Sequence, residues 1–435
     1  MNFDASSILQ QRAHALIPGG CHTYAKGDDQ YPQLSPGFIA YGKGCHVWDV
    51  DNNEFIEYGM GLRAVSLGHA YEPVITAAYE QMKLGSNFTR PAPIEIQCAE
   101  QLVDLIDCAD QVKFAKDGST VVTAALKLAR AATGRDMVAI CADHPFFSYN
   151  DWFIGTTDIA GGIPDYLKHL TVKFSYNDIG SLERVFTQYP DRIAAVVTEA
   201  ARTEEPADGF LQLVQALCRR KGAVFVLDEM ITGFRWHLNG AQEVYNIEPD
   251  LACFGKALAN GFSLSALVGR RDLMELGGIR TPQERVFLLS TTHGAETPAI
   301  GAAVKTLQIY QSEPVVETLY RQGRRLREGI EQVTTTLGME DYVGVLGRDC
   351  NLVYFTHDQE GKPSQPLRTL LMQELIRQGI LAPSFVVSYS HSNDDIDRTI
   401  EAVSQALVVY KRALEEGVDR FLVGESVKPV YRRYA

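Results

Sequence analysis

Residues 223–235 read Ala-Val-Phe-Val-Leu-Asp-Glu-Met-Ile-Thr-Gly-Phe-Arg, an apolar run that stops at Asp228 and turns polar at once. Consecutive bulky apolar residues without alternation predict a strand buried on both faces, the form taken in parallel sheets covered by helices. Runs of the same kind stand at 137–142, 193–198, 251–254 and 266–268, separated by helix-like stretches. The alternation predicts an α/β protein around a largely parallel central sheet. Glu199, Asp228 and Lys256 each lie just beyond the apolar part of one of these runs. Open sheets of this class carry their chemistry at such strand ends.

Outward from this centre the chain changes character. Residues 1–66 are rich in Gly, Pro and Tyr and predict an irregular arm with a short hairpin near Val47 to Tyr58. Residues 67–310 form the expected large domain. Beyond 311, amphipathic helices over 316–337, 366–379 and 394–415 flank two short strands, predicting a smaller α+β domain over 311–435. With 435 residues, 46% of them hydrophobic, the chain can bury a core for two or three such units. Its 41 basic and 54 acidic residues, mixed without long runs of one sign, leave a net charge of −13 and argue against nucleic acid as a partner. The eight cysteines include no Cys-x-x-Cys pair, and no histidine cluster has zinc spacing, so the sequence predicts reduced, buried thiols and no metal. The start, MNFDASSILQQRAHAL, lacks the basic-then-apolar order of a signal peptide, and no stretch stays apolar long enough to span a membrane. A soluble, cytoplasmic protein is expected.

The chemistry begins with Lys256, in Cys253-Phe254-Gly255-Lys256-Ala257-Leu258-Ala259-Asn260-Gly261-Phe262. Apolar neighbours and the lack of an adjacent acid would favour the neutral amine, the nucleophile that carbonyl chemistry needs. A lone Gly-Lys at a strand end is more often a lysine reaching to solvent. Asp228, twenty-eight positions earlier, shifts that balance. A carboxylate leaving a buried strand needs a cationic partner, and a protonated pyridine nitrogen would be one; an ordinary helix-capping aspartate is the plain alternative. Lys116-Asp117-Gly118-Ser119-Thr120 opens an amphipathic helix over 121–132 and forms either a phosphate cup or simply a good N-cap. Ser290-Thr291-Thr292-His293-Gly294 is a second candidate anion contact. Phe146 and Met230 are candidates to cover the two faces of a flat ring, against the default of core packing.

Together these stretches resemble the class III (fold-type I) aminotransferases, and within them the glutamate-1-semialdehyde aminomutase-like branch. The resemblance runs through nearly the whole chain. It is strongest in Leu227-Asp228-Glu229-Met230-Ile231-Thr232-Gly233-Phe234-Arg235, similar to the family's DEVMTGFR, and in Pro249-Asp250-Leu251 leading to Gly255-Lys256. It implies the PLP-dependent transferase fold of type I, with a mostly parallel, seven-stranded-type sheet, a smaller α+β C-terminal domain and an N-terminal arm. By the same resemblance Lys256 is the Schiff-base lysine of pyridoxal 5'-phosphate (PLP), and Asp228 is the partner of its ring nitrogen. Gly118 and Ser119 take phosphate-binding positions, Phe146 is the stacking aromatic, and Glu199 lies near the cofactor. Thr292 matches the threonine that reaches the neighbouring subunit's cofactor, implying a homodimer with shared active sites.

Some positions depart from the family pattern. The family's NSG is Lys116-Asp117-Gly118 here, the proline after Glu199 is Ala200, and YHGWHD is Phe146-Phe147-Ser148-Tyr149-Asn150-Asp151. Thr23 and Lys26 stand where the aminomutase engages a substrate carboxylate with Ser and Arg, and a lysine offers a point charge in place of a fork. Tyr24, Lys26, Arg63, Arg90, Arg202 and Glu205 are the expected substrate contacts, each with a solvated-surface alternative. The leading expectation is transfer of an amino group from an amino-acid donor to an aldehyde or ketone of a small anionic acceptor. An intramolecular aminomutase is the alternative, and a non-catalytic binding module the third reading.

Overall fold

The computed structural model describes residues 1–143, 148–430 and 432. Two compact units are present, Met1–Tyr71 with Glu317–Arg432, and Glu72–Val316.

The second unit is built on a seven-stranded sheet. In chain order its strands are β1 (Gln111–Ala115), β2 (Met137–Cys141), β3 (Thr171–Phe174), β4 (Ile193–Glu199), β5 (Val224–Asp228), β6 (Leu251–Phe254) and β7 (Ser265–Gly269). In space they run β1-β7-β6-β5-β4-β2-β3. Neighbours from β6 through to β3 are parallel, and β7 runs antiparallel to both β6 and β1. The expectation of a mostly parallel sheet is met. Every residue of β2, β4, β5, β6 and β7 is buried, as their unbroken apolar runs require.

Helix α1 (Gly118–Thr133) lies on this sheet. Val121, Ala125 and Leu128 share one core cluster with Val138 of β2, Val197 of β4, Val226 of β5 and Leu267 of β7. The helix starts at Asp117, whose side chain accepts from the Thr120 N–H, and stops at Gly134, whose left-handed backbone (φ 67°) suits glycine.

In the other unit, strands Ile39–Lys43, His46–Asp49 and Glu54–Glu57 form an antiparallel meander. Ile380–Leu381 pairs in parallel with the last of them and so joins the two distant chain segments in one sheet. The helices Val315–Leu337, Gln365–Arg377 and Asn393–Glu416 fall within a few residues of the predicted ranges. Residues 60–63 make a left-handed turn, with φ of 44° at Met60, 56° at Gly61, 57° at Leu62 and 71° at Arg63. The C-terminal tail lies in this unit too: Val427 N–H bonds Thr369 Oγ1 at 2.9 Å and Lys428 N–H bonds Asp29 O at 2.9 Å. All eight cysteines are free thiols; seven are buried and Cys21 is partly exposed. No helix among the described residues is long and apolar enough to cross a membrane.

Candidate active site

The pairing of β4, β5 and β6 decides what meets at their C-terminal ends. Glu199 stands beside Asp228, and Asp228 beside Cys253. Partnered residues of neighbouring strands point to the same face, so two carboxylates lie side by side. Both are buried, Glu199 4% and Asp228 2% exposed. Burial, and after it the Glu199 charge, raise the Asp228 carboxyl to about 7 against the opposing pull of Lys256 and the N–H of Met230. That N–H donates to Asp228 Oδ1 at 2.9 Å. The acid that the sequence around Lys256 lacks therefore comes from the neighbouring strand.

Lys256 follows β6 after one residue and heads a short 3₁₀ turn, Lys256–Ala259. It is half-buried. Its backbone is left-handed (φ 47°), as is that of Asn260 (φ 44°). A non-glycine residue held there costs roughly 1–3 kcal/mol, a strain that concentrates at working sites. Glu229, next to Asp228, has a different task. Its carboxylate accepts from Thr232 Oγ1, from Ala241 N at 3.0 Å and from Gln242 N at 3.0 Å, and so pins the loop that follows β5.

Met230 is wedged by two glycines. A Cβ at Gly118 would stand 2.9 Å from its sulfur, and a Cβ at Gly255 only 2.7 Å. Both positions must stay bare for the thioether to lie between the head of α1 and the lysine turn. At that head, Asp117 satisfies Thr120 through its N–H at 2.8 Å and its hydroxyl at 3.0 Å. The first-turn N–H groups of Gly118 and Ser119 have no acceptor within the helix, and the positive end of a sixteen-residue helix dipole faces the same way. Ser119 Oγ accepts from Tyr149 N at 3.0 Å. Asn150 Nδ2 and Trp152 Nε1 both donate to Thr123 Oγ1 at 2.8 Å, fastening the 149–152 segment to α1.

These residues fit PLP. The paired, buried carboxylates call for a cationic N–H, which a protonated pyridine nitrogen supplies. The head of α1 suits a phosphate, and Lys256 is the amine beside them.

The structure thus brings Lys256, Asp228, Glu199, Met230, Gly118 and Ser119 into one region. Phe146 lies outside the described residues. Thr292 is exposed in the segment before helix Thr297–Ser312, and Arg90 is exposed between helices Glu72–Leu84 and Pro93–Leu105. Arg202 is half-buried beyond β4, and Glu205 accepts from Tyr245 Oη at 2.6 Å. In the other unit, Tyr24 and Lys26 are exposed; Lys26 borders a cavity of about 540 Å³ with His22, Tyr31, Glu57 and His69. Arg63 Nε donates to Asn351 Oδ1 at 2.9 Å. Lys116, at the first of the departed family positions, turns away to Glu296 (2.8 Å) and the Ser263 carbonyl (3.1 Å). Sequence reasoning missed Tyr176, whose hydroxyl donates to the Ala200 carbonyl at 2.7 Å and braces the end of β4. It also missed Ser265, which donates to the Asp117 carbonyl at 2.8 Å. Neither position carries a local signal, because each acts on a residue far away in the chain.

Comparison with known proteins points the same way. A family model for class-III aminotransferases matches residues 27–407. A 3-aminobutyryl-CoA aminotransferase from Cloacimonas acidaminovorans (strain Evry) is 29% identical over 420 residues, covering 94% of this chain and 98% of the relative. A glutamate-1-semialdehyde 2,1-aminomutase from Sulfurihydrogenibium sp. (strain YO3AOP1) is 30% identical over 425 residues, covering 92% and 97%. Among solved structures, the PLP internal aldimine form of the Sphingopyxis sp. MTA144 FumI protein superimposes with a TM-score of 0.86 at 28% identity, covering 94% of this chain and 97% of that one. An omega-transaminase from Sphaerobacter thermophilus gives 0.84 at 25% identity, with 94% and 98% covered.

Proposed function

The chain belongs to the class-III aminotransferases, PLP-dependent enzymes of fold type I, and we propose that it moves an amino group from an amino-acid donor to a small anionic aldehyde or ketone. The chemistry that PLP supplies when bound is an aldehyde to receive the amino group and a ring that draws electrons from the reacting carbon. The protein residues do the rest. Lys256 Nζ would hold the cofactor and would carry the proton that leaves the donor's carbon. Asp228 keeps the ring nitrogen protonated, and Glu199 beside it deepens the negative potential that favours this. Met230 would cover a face of the ring, while Gly118 and Ser119 would hold the phosphate. Thr292, exposed on this chain, serves the cofactor of a second subunit in a homodimer. The free thiols suit a reducing cytoplasm. The anionic acceptor is the reading of Arg63 and Lys26, basic residues in stretches that resemble the family's substrate-facing segments.

The observation that carries this reading is the strand register that sets Glu199 beside Asp228 and ends β6 with only Gly255 between it and Lys256. Its test is a donor panel. The purified protein is loaded with PLP and mixed with single amino acids, and the released 2-oxo acid is counted against chains. One equivalent from at least one donor, with continued turnover once an acceptor is added, is expected. Isomerisation of an amino aldehyde with no donor present would assign the intramolecular reaction instead. Light scattering on the same sample is expected to give twice the chain mass; a monomer would remove the role given to Thr292.

A further inference from the structure

Away from the cofactor cleft, one cluster of side chains has the make-up of a metal site. Cys45, His46 and Asp395 bring a thiol, an imidazole and a carboxylate together, with their donor atoms all within 4.8 Å of one another. We propose that these three residues bind a zinc ion that fastens strand His46–Asp49 to helix Asn393–Glu416.

The geometry is close to what the ion needs. His46 Nε2 lies 2.9 Å from Asp395 Oδ1, and Cys45 Sγ lies 3.4 Å from Asp395 Oδ2. Ligands around a tetrahedral zinc stand about 3.3–3.7 Å apart, as its bond lengths of about 2.0–2.3 Å dictate. Side-chain rotation within this 4.8 Å cluster would bring the three donors onto one ion. The donor set also selects the metal: a thiolate with an imidazole favours zinc over the oxygen-seeking calcium and magnesium. Three protein ligands leave a fourth position for water, and the His46 side chain, 22% exposed, leaves a way in.

The surroundings hold the ligands in place. The other ring nitrogen of His46, Nδ1, meets Glu54 Oε1 at 2.7 Å, the carboxylate–histidine pairing that orients metal-bound imidazoles. Asp395 is fixed by Ser392 through its N–H at 2.9 Å and its hydroxyl at 2.7 Å. Without metal, the His46 ring lies between two carboxylates. Binding displaces the thiol proton of Cys45 and any proton on the Nε2 of His46, and the ion with its thiolate and carboxylate is neutral overall.

Zinc content decides the matter. The PLP-loaded, full-length protein is stripped with a chelator, dialysed against zinc chloride and assayed for bound metal. One zinc per chain is expected. In Cys45→Ser and His46→Gln the affinity should fall by about 100-fold or more, and in Glu54→Gln by roughly 10–100-fold. No stoichiometric zinc in the unaltered protein overturns the proposal, as does retention of full affinity in both ligand variants. Should those variants fail to fold, cobalt provides a second readout on a folded protein. Cys21→Ser, which removes the one partly exposed thiol, should keep the intense visible bands of tetrahedral cobalt–thiolate. Loss of the bands in that variant would place the metal on the arm and sink the assignment.

Discussion

Lys256→Ala is expected to give a folded protein that still takes up PLP but turns over on the order of 10⁴-fold more slowly, since both the covalent hold and the proton carrier are lost. Stability should change little, because the side chain is only half-buried. The strain of the turn stays, as alanine must adopt the same left-handed backbone (φ 47°). Two measurements separate the effects: titration of PLP binding by absorbance, and steady-state oxo-acid release with the best donor. Small amines added to the solution should restore part of the rate, which a merely misfolded variant would not show. Retention of more than a tenth of the activity would move the role to another residue.

Asp228→Asn should weaken PLP binding or turnover by about 10²-fold or more, because leaving a buried charge without its partner costs roughly 3–5 kcal/mol. It carries a pH signature as well. In the protein without cofactor, burial and the Glu199 charge raise the Asp228 carboxyl to about 7 from its ordinary value of 3.8. A carboxyl raised in the folded state binds its proton more tightly there than in the unfolded chain. Its contribution to stability is therefore complete below about pH 4 and is lost as pH climbs through 7. A cationic ring nitrogen removes the penalty on the charged form. The gap in Tm between PLP-loaded and PLP-free protein should accordingly widen from pH 5 to pH 8, and in Asp228→Asn that widening should disappear. The titration of the cofactor's own phosphate is common to both proteins and cancels in the comparison. An equal widening in the two would show that Asp228 is not the group responsible.

The core of the sheet was legible because its inner strands are written as unbroken apolar runs, and Glu199, Asp228 and Lys256 because each ends or follows one. The outer strands β1 and β3 carry Lys113 and Lys173 in their middles, so periodicity marks them weakly. What sequence could not supply are relations between distant residues. Nothing near Gly118 or Gly255 announces that both make room for Met230. Lys116 stands at a site position in the motif, yet its charge is spent on Glu296. Ile380–Leu381 completes a sheet begun at Ile39, a pairing that no local pattern encodes. The cluster at Cys45 escaped for the same reason: a search for metal ligands by spacing cannot join residues 45 and 46 to 395.

The burial of seven of the eight thiols also bears on handling of the protein. Burial pushes the thiols of Cys98, Cys108 and Cys218 well above the ordinary range, so at neutral pH they stay protonated and slow to react. A maleimide dye would meet Cys21 first, and the arm thus offers a single attachment point for a fluorophore with no residue changed.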